Sequence, residues 1–243
     1  MKQVVFLGTK SVGFECLKYL YYCQEKYDFN LSGVLTNNEK NKEILLFCQE
    51  KSLKVFKDLE DFTENGTCDI GISVQFHLIL KKEHIDKARK LFVNLHMAPL
   101  PEYRGCNQFS FAIINGDKLF GTTIHELTVG IDSGDIIFEK RFQIPPNCWI
   151  SELYDLTAKE SLQLFQDSLP NLLRGDYILK NQSSFLDRSK SFHLRKEINE
   201  IKRLDLSWSH EKIARYVRAT TMPGFEPPYF VIDGKKFFIT IES

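Results

Sequence analysis

The sequence predicts an α/β fold: an open, doubly wound, mainly parallel sheet followed by a small C-terminal α+β appendage. Three observations predict it. Up to Leu95, short β-branched and apolar runs alternate with segments of helical apolar spacing, and that alternation calls for crossovers between parallel strands. After Leu95 the alternation gives way to a strand pair, one long amphipathic helix and a proline-bearing tail. The chain has 243 residues, 43% of them hydrophobic, enough to fill one medium core.

The elements follow in order. Gln3–Leu7 reads as a strand that stops at Gly8-Thr9-Lys10-Ser11, after which Phe14, Leu17, Leu20 and Tyr21 recur at helical spacing. Asn30–Thr36 is a second strand, Asn41–Lys51 a second helix and Lys54–Phe56 a short third strand. Asp69–Gln75 and Leu91–Leu95 are buried strands, and Gln108–Asn115 is a short helix. Thr122–Thr128 and Asp135–Ile144 form a pair of strands around a turn-rich segment. Ser151–Leu173 is a long helix with Ser151 as cap, Glu152 as first-turn acid and Gly175 as stop. Asn181–Lys202 shows no period and reads as a linker. The tail holds a helix over His210–Thr220, capped by Ser207 or Ser209, and a hairpin turning at Asp233-Gly234. Residues 1–180 are thus expected to form the main domain and 181–243 a small helix-and-hairpin region.

Composition narrows the function. Lys plus Arg equals Asp plus Glu, at 32 each, so there is no positive excess for a nucleic-acid partner. No apolar run suits a signal peptide or a membrane span. The six cysteines form no CxxC pair and no metal-ligand spacing with histidine, so reduced thiols, a cytoplasmic setting and no metal are expected.

The first glycine turn carries a weak signal. Gly8 and Gly13 do not make GxGxxG, and Phe14-Glu15 stand where a phosphate-binding loop needs Lys-Ser/Thr. Lys10 beside a helix N-terminus suits an anion such as phosphate, and equally suits a plain strand-to-helix turn.

The stretch VNLHMAPLPEYR is more informative. Asn94 and His96 occupy alternate positions at a strand's end and share one face. Ligands of open α/β sheets bind beyond that end of the strands. Asp132 sits between Gly130 and Gly134 in GIDSGDII, where a carboxylate is also common for local turn reasons. Brought together, the three make a reaction centre. Histidine takes a proton from an amine, aspartate raises its basicity, and asparagine donates to an oxyanion. No serine or cysteine nucleophile neighbours the histidine, which fits direct acyl transfer.

These motifs resemble a known family. Asn94-x-His96 with PLPEYRG, then FGTTIH over Phe120–His125, then GIDSGDI from Gly130, are similar in order and separation to the N10-formyltetrahydrofolate-dependent formyltransferases. The opening VVFLGTKSVGFECLKYL is similar as well, and the resemblance runs over roughly residues 1–175. It implies a Rossmann-like catalytic domain, with Asn94, His96 and Asp132 as the catalytic set. It implies a donor cleft lined by Phe76, His77, Leu78, Ile79 and Leu80 and by His125, Thr128, Val129, Gly130 and Asp132. Met97-Ala98-Pro99-Leu100-Pro101 departs from the Ser-Leu-Leu-Pro of many members, so the acceptor is not carried over from them.

The tail RATTMPGFEPPYF and the stretch YRGCNQFSFAI look most like the sugar N-formyltransferases. That resemblance implies a nucleotide-linked amino sugar as acceptor, with dTDP-4-amino-4,6-dideoxyglucose the expected one, used for O-antigen or another surface glycan. Its expected contacts are Gly8, Lys10, Met97, Tyr103, Arg104, Gly105 and Asn107, with Phe225 or Tyr229 stacking on the base. A homodimer is expected from the apolar hairpin. Formyl transfer to phosphoribosyl glycinamide, hydrolysis of formyl-folate, and binding without chemistry are the alternatives.

Overall fold

The computed structural model describes residues 1–37 and 41–240. The chain forms β1 (Lys2–Gly8), α1 (Lys10–Tyr27), β2 (Phe29–Leu35), α2 (Lys42–Glu50), β3 (Val55–Phe56), α3 (Leu59–Asn65), β4 (Cys68–Val74), a short α4 (Lys82–Ile85) and β5 (Ala88–His96). It continues with β6 (Tyr103–Gly105), α5 (Gln108–Asn115), β7 (Leu119–Glu126), β8 (Ile136–Gln143) and the long α6 (Ile150–Arg174). The last part holds β9 (Ser191–His193), a short α7 (Ile198–Ile201), α8 (His210–Thr220) and the hairpin of β10 (Tyr229–Ile232) and β11 (Lys235–Phe238).

Seven strands form the central sheet in the order β3-β2-β1-β4-β5-β7-β8. The first five are parallel, and β7 and β8 add antiparallel strands at one edge. Alternation along β1 fills both faces: Val4 and Phe6 enter one core cluster, Val5 and Leu7 another. On the first face, Leu17 and Leu20 of α1 meet Phe165, Leu169 and Leu172 of α6. On the second, Phe62 of α3 and Phe56 pack with Leu80 and Phe92. A third cluster joins Ala98, Tyr103, Ala112 and Phe120 to the start of α6 and to Ala219 of α8.

The expected α/β architecture is present, with three local differences. The helices α3 and α4 were not expected, since each is too short for apolar periodicity to register. The cap of α6 is Trp149, not Ser151; Glu152 reaches back to accept from the Trp149 backbone N–H at 2.7 Å. For α8 the choice falls on Ser209, whose hydroxyl accepts from Lys212 N.

The third difference lies at 181–202, read as a linker. This segment is a strap bound along the main sheet. Lys180 and Ile136 exchange backbone hydrogen bonds at 2.8 and 2.9 Å, and β9 pairs in parallel with β6. Arg188 donates to Leu100 O and to both carboxylate oxygens of Glu139, while Arg141 joins Glu139 to Glu102. These contacts use isolated polar side chains, which leave no periodic trace in sequence.

Candidate active site

The site lies at the C-terminal ends of the parallel strands, where strand order reverses about β1 and β4. Strand β5 delivers Asn94 and His96. Its antiparallel partner β7 sets His125 directly opposite Asn94. The loop after β7 returns Asp132 to the same spot.

Hydrogen bonds define each group's state. His96 Nε2–H donates to the Tyr103 carbonyl at 2.7 Å, leaving Nδ1 facing Asp132 Oδ1 at 3.7 Å. His125 Nδ1–H donates to the Glu126 carbonyl at 2.8 Å, and its Nε2, 3.2 Å from the Asn94 amide nitrogen, accepts from it in the neutral ring and is free to donate to Asp132 in the charged one. That same Nε2 is 3.6 Å from Asp132 Oδ1. Two imidazoles thus flank one carboxylate oxygen, with ring planes at 85°. The other oxygen, Oδ2, accepts the Gly105 backbone N–H at 2.9 Å.

Burial is the largest influence on the Asp132 carboxyl and by itself opposes ionisation. The charge of His96, the hydrogen bond and charge of His125, and the Gly105 amide together outweigh it. They hold the group well below the usual carboxylate range. Asp132 has φ 47°, a left-handed conformation that a non-glycine residue adopts only when its surroundings impose it. They do so here: Arg104 donates twice to Ile131 O, Thr128 and Ser133 share a hydroxyl bond, and Gln182 donates to the carbonyls of Asp132 and Gly134. Gly134 lies so close to the Glu126 carbonyl that a Cβ there would collide with its oxygen.

The structure therefore brings Asn94, His96 and Asp132 together and adds His125 beside them. Of the expected donor-side residues, Leu78, Ile79 and Val129 are exposed, and Phe76 rings with His77 at 5.0 Å. Phe76 packs on the same core cluster as Leu127, so the segments after β4 and β7 adjoin. Thr128 and Gly130 lie in the Asp132 loop. Leu80 is different: it is buried in that core cluster, because its side chain is needed against Val5 and Phe92.

The expected acceptor-side residues separate into groups. Lys10 donates to Gln75 Oε1 at 3.1 Å, just beyond the end of β1 at Gly8. Its pKa is lowered, first by desolvation and then by the nearby charge of Arg195, with Cys106 opposing. Arg104 and Gly105 act through the contacts above, and Asn107 donates to Leu194 O. Met97 is fully buried and its side chain belongs to the core, not to a cleft. Tyr103 likewise buries its ring and bonds Asp117 through its hydroxyl; only its backbone carbonyl reaches the site. Phe225 is exposed, and Tyr229 packs against Phe238 under the Lys236 ammonium. No hydrogen bond or ring contact among the described residues joins either to the Asn94–Asp132 cluster.

Sequence reasoning missed Gln182 and Arg195. Both sit in the stretch taken for a linker, and a lone polar residue there carries no signal. It also assigned His125 only to the donor cleft. Recognising antiparallel pairing between 93–96 and 123–126 would have placed it opposite Asn94. Among the described residues no group of three or more His, Cys, Asp and Glu is placed to hold a metal ion.

The chain is similar to known proteins. The methionyl-tRNA formyltransferase of Clostridium beijerinckii is 28% identical over 233 residues, covering 88% of this chain and 72% of that protein. The GDP-perosamine N-formyltransferase of Brucella melitensis is 26% identical over 183 residues, covering 75% and 68%. A solved N-formyltransferase from Helicobacter canadensis, in complex with folinic acid and dTDP-3-aminofucose, superposes with a TM-score of 0.79 at 22% identity. That alignment covers 97% of this chain and 86% of that one. Residues 24–169 match the formyl transferase family, Formyl_trans_N. That span is more than half of the chain and contains Asn94, His96, His125 and Asp132, so the chain belongs to the formyl transferase family.

Proposed function

We propose that this chain transfers a formyl group from N10-formyltetrahydrofolate to the amine of a nucleotide-linked amino sugar. The acceptor proposed is dTDP-4-amino-4,6-dideoxyglucose, for O-antigen or another surface glycan. The observation that carries the reading is the convergence of the Asn94 amide, two imidazoles and one ionised carboxylate at the end of β5. The sugar-nucleotide class is supported by the Helicobacter protein, whose solved complex holds a dTDP-amino sugar and a folate, and by the Brucella GDP-perosamine enzyme.

In this reading the neutral amine attacks the formyl carbon and forms a new C–N bond. The Asn94 amide donates to the oxyanion of the tetrahedral intermediate, joined by His96 Nδ1 once that nitrogen has taken up a proton. The amine proton passes to the Asp132 carboxylate or to His96 Nδ1. The resulting imidazolium would be held by the Tyr103 carbonyl on one side and Asp132 on the other. The C–N10 bond then breaks and N10 receives the proton, so charge and protons balance. The exposed apolar side chains of Leu78, Ile79 and Val129 suit the flat, largely apolar faces of a pteridine. Lys10 and Arg195, two neighbouring cations, suit the diphosphate of the acceptor. Phe225, exposed on the turn after α8, is the proposed base-stacking group.

The hairpin is proposed as a homodimer contact: Val231, Ile232, Phe237 and Phe238 are all exposed on a two-stranded sheet whose β10 edge is bridged at Tyr229 to the 202–204 segment. Six free thiols suit a cytoplasmic enzyme.

Mass spectrometry of nucleotide-linked amino sugars incubated with the protein and N10-formyltetrahydrofolate tests the reading. One formyl group is expected on the dTDP-4-amino sugar, and none with His96→Ala. Rapid folate release without any amine would identify a hydrolase instead. Binding of the sugar nucleotide with no formyl product would leave a binding protein.

A further inference from the structure

We propose that Gln182 is a positioning residue for the reaction centre: its side-chain amide sets the turn that aims the Asp132 carboxylate at His96. The proposal rests on the formyl-transfer reading of that site.

The geometry is specific. Gln182 is 8% exposed. Its Nε2 carries two hydrogens, and the atom lies 2.8 Å from the carbonyl of Asp132 and 2.8 Å from that of Gly134. One amide group therefore ties together the two carbonyls that bracket Ser133. This is the turn in which Asp132 adopts its left-handed backbone. Such a conformation costs about 1–3 kcal/mol and persists where neighbours over-determine it. The carboxylate on that backbone has its own partners in Gly105 and the two imidazoles. Among the described residues no side-chain hydrogen bond joins Gln182 to these groups. It acts on the backbone beneath them.

Gln182 is itself well anchored. The Lys180–Ile136 pair of backbone hydrogen bonds fixes the chain just before it. The Asn181 amide donates to Asp135 at 3.0 Å, and its oxygen accepts from Ser183 N at 2.9 Å. The loop is thus braced by Gln182 from the strap and by Arg104 from β6. Position matters at this distance: a misplacement of about 1 Å in a reacting group costs up to about 100-fold in rate.

Gln182→Met keeps the length of the side chain and removes both donors. Two readouts test it against Asp132→Asn and the double variant, in the full chain. The first is NMR of the His96 imidazole nitrogens at one fixed pH, which needs no acceptor. Asp132→Asn is expected to move the Nδ1 resonance, because the carboxylate oxygen facing it is gone. Gln182→Met is expected to move it in the same direction by less, and to have no further effect once Asp132 is Asn. The second is turnover of N10-formyltetrahydrofolate with dTDP-4-amino-4,6-dideoxyglucose. There kcat is expected to fall about 10- to 100-fold with the donor KM unchanged, again with no added loss in the double variant.

A His96 Nδ1 resonance unchanged in Gln182→Met, or losses that multiply in the double variant, would overturn the proposal while leaving the site's reading intact. A His96 Nδ1 resonance unmoved by Asp132→Asn would instead sink the reading of the site. Should Gln182→Met fail to fold, Gln182→Ala, which admits water to the two carbonyls, carries the same comparisons.

Discussion

Nδ1 of His96 stands 3.7 Å from Oδ1 of Asp132, while Nε2 of the same ring is committed to the Tyr103 carbonyl at 2.7 Å. The backbone, not the aspartate, therefore fixes the ring's orientation and its tautomer. With Nε2 protonated, Nδ1 is the nitrogen left to exchange a proton, and it faces the carboxylate. Asp132 in turn is poised by three groups at once: His96, His125 and the Gly105 amide.

Asn94 is the expected oxyanion donor. Replacing it by Ala should lower kcat by about 100- to 1000-fold and leave the melting temperature nearly unchanged, since the residue is only partly buried. Steady-state kinetics at saturating substrates, with thermal unfolding alongside, check this. A kcat within a few-fold of the parent protein would remove Asn94 from the mechanism.

Asp132 makes stability depend on pH with a definite sign. Its pKa is lower in the folded chain than the ordinary value of 3.8, so the folded state binds this proton less readily than the unfolded state. The stabilisation is complete above that ordinary value and is lost as pH falls towards the folded-state value. Urea unfolding of the parent and of Asp132→Asn, from about pH 6 to about pH 3, measures it. The advantage of the parent should be constant at the upper end and shrink at the lower end. A constant difference throughout would mean the carboxyl is not held ionised.

Gly134→Ala tests the close approach that seats the Asp132 loop. The added Cβ would meet the Glu126 backbone carbonyl, which cannot swing away as a side chain can. The expected cost is about 1–3 kcal/mol of stability, together with loss of formyl transfer as Asp132 is displaced. Denaturant unfolding and activity assays read the two effects separately, and an active, fully stable variant would show that the loop tolerates another path.

The thiols should differ sharply in reactivity. Burial pushes Cys48 and Cys148 up to about 11 and Cys68 up to about 12, and raises Cys16 further still. Cys106 is the one partly exposed cysteine and lies near Lys10. A disulfide reagent is expected to titrate one thiol quickly in the native protein and none in Cys106→Ser. Fast reaction persisting in Cys106→Ser would place the accessible thiol elsewhere.

The legibility of this protein follows the range of its interactions. The βα alternation up to β5 was readable because a parallel sheet demands buried strands and amphipathic crossovers, each a local pattern of apolar residues. Asn94, His96 and Asp132 were readable through their motifs and their place at a strand end and a glycine-bracketed loop. The sequence by itself determined the α/β class, the strand ends and which side chains could do chemistry. Only the tertiary structure decided their partners. Register across β5 and β7 put His125 opposite Asn94, the fold of 103–105 gave His96 its carbonyl, and the strap brought Gln182 under Asp132 from fifty residues away. Hydrogen bonds between single polar residues far apart in the chain have no period and no composition, so nothing in a linear sequence announces them before the sheet is closed.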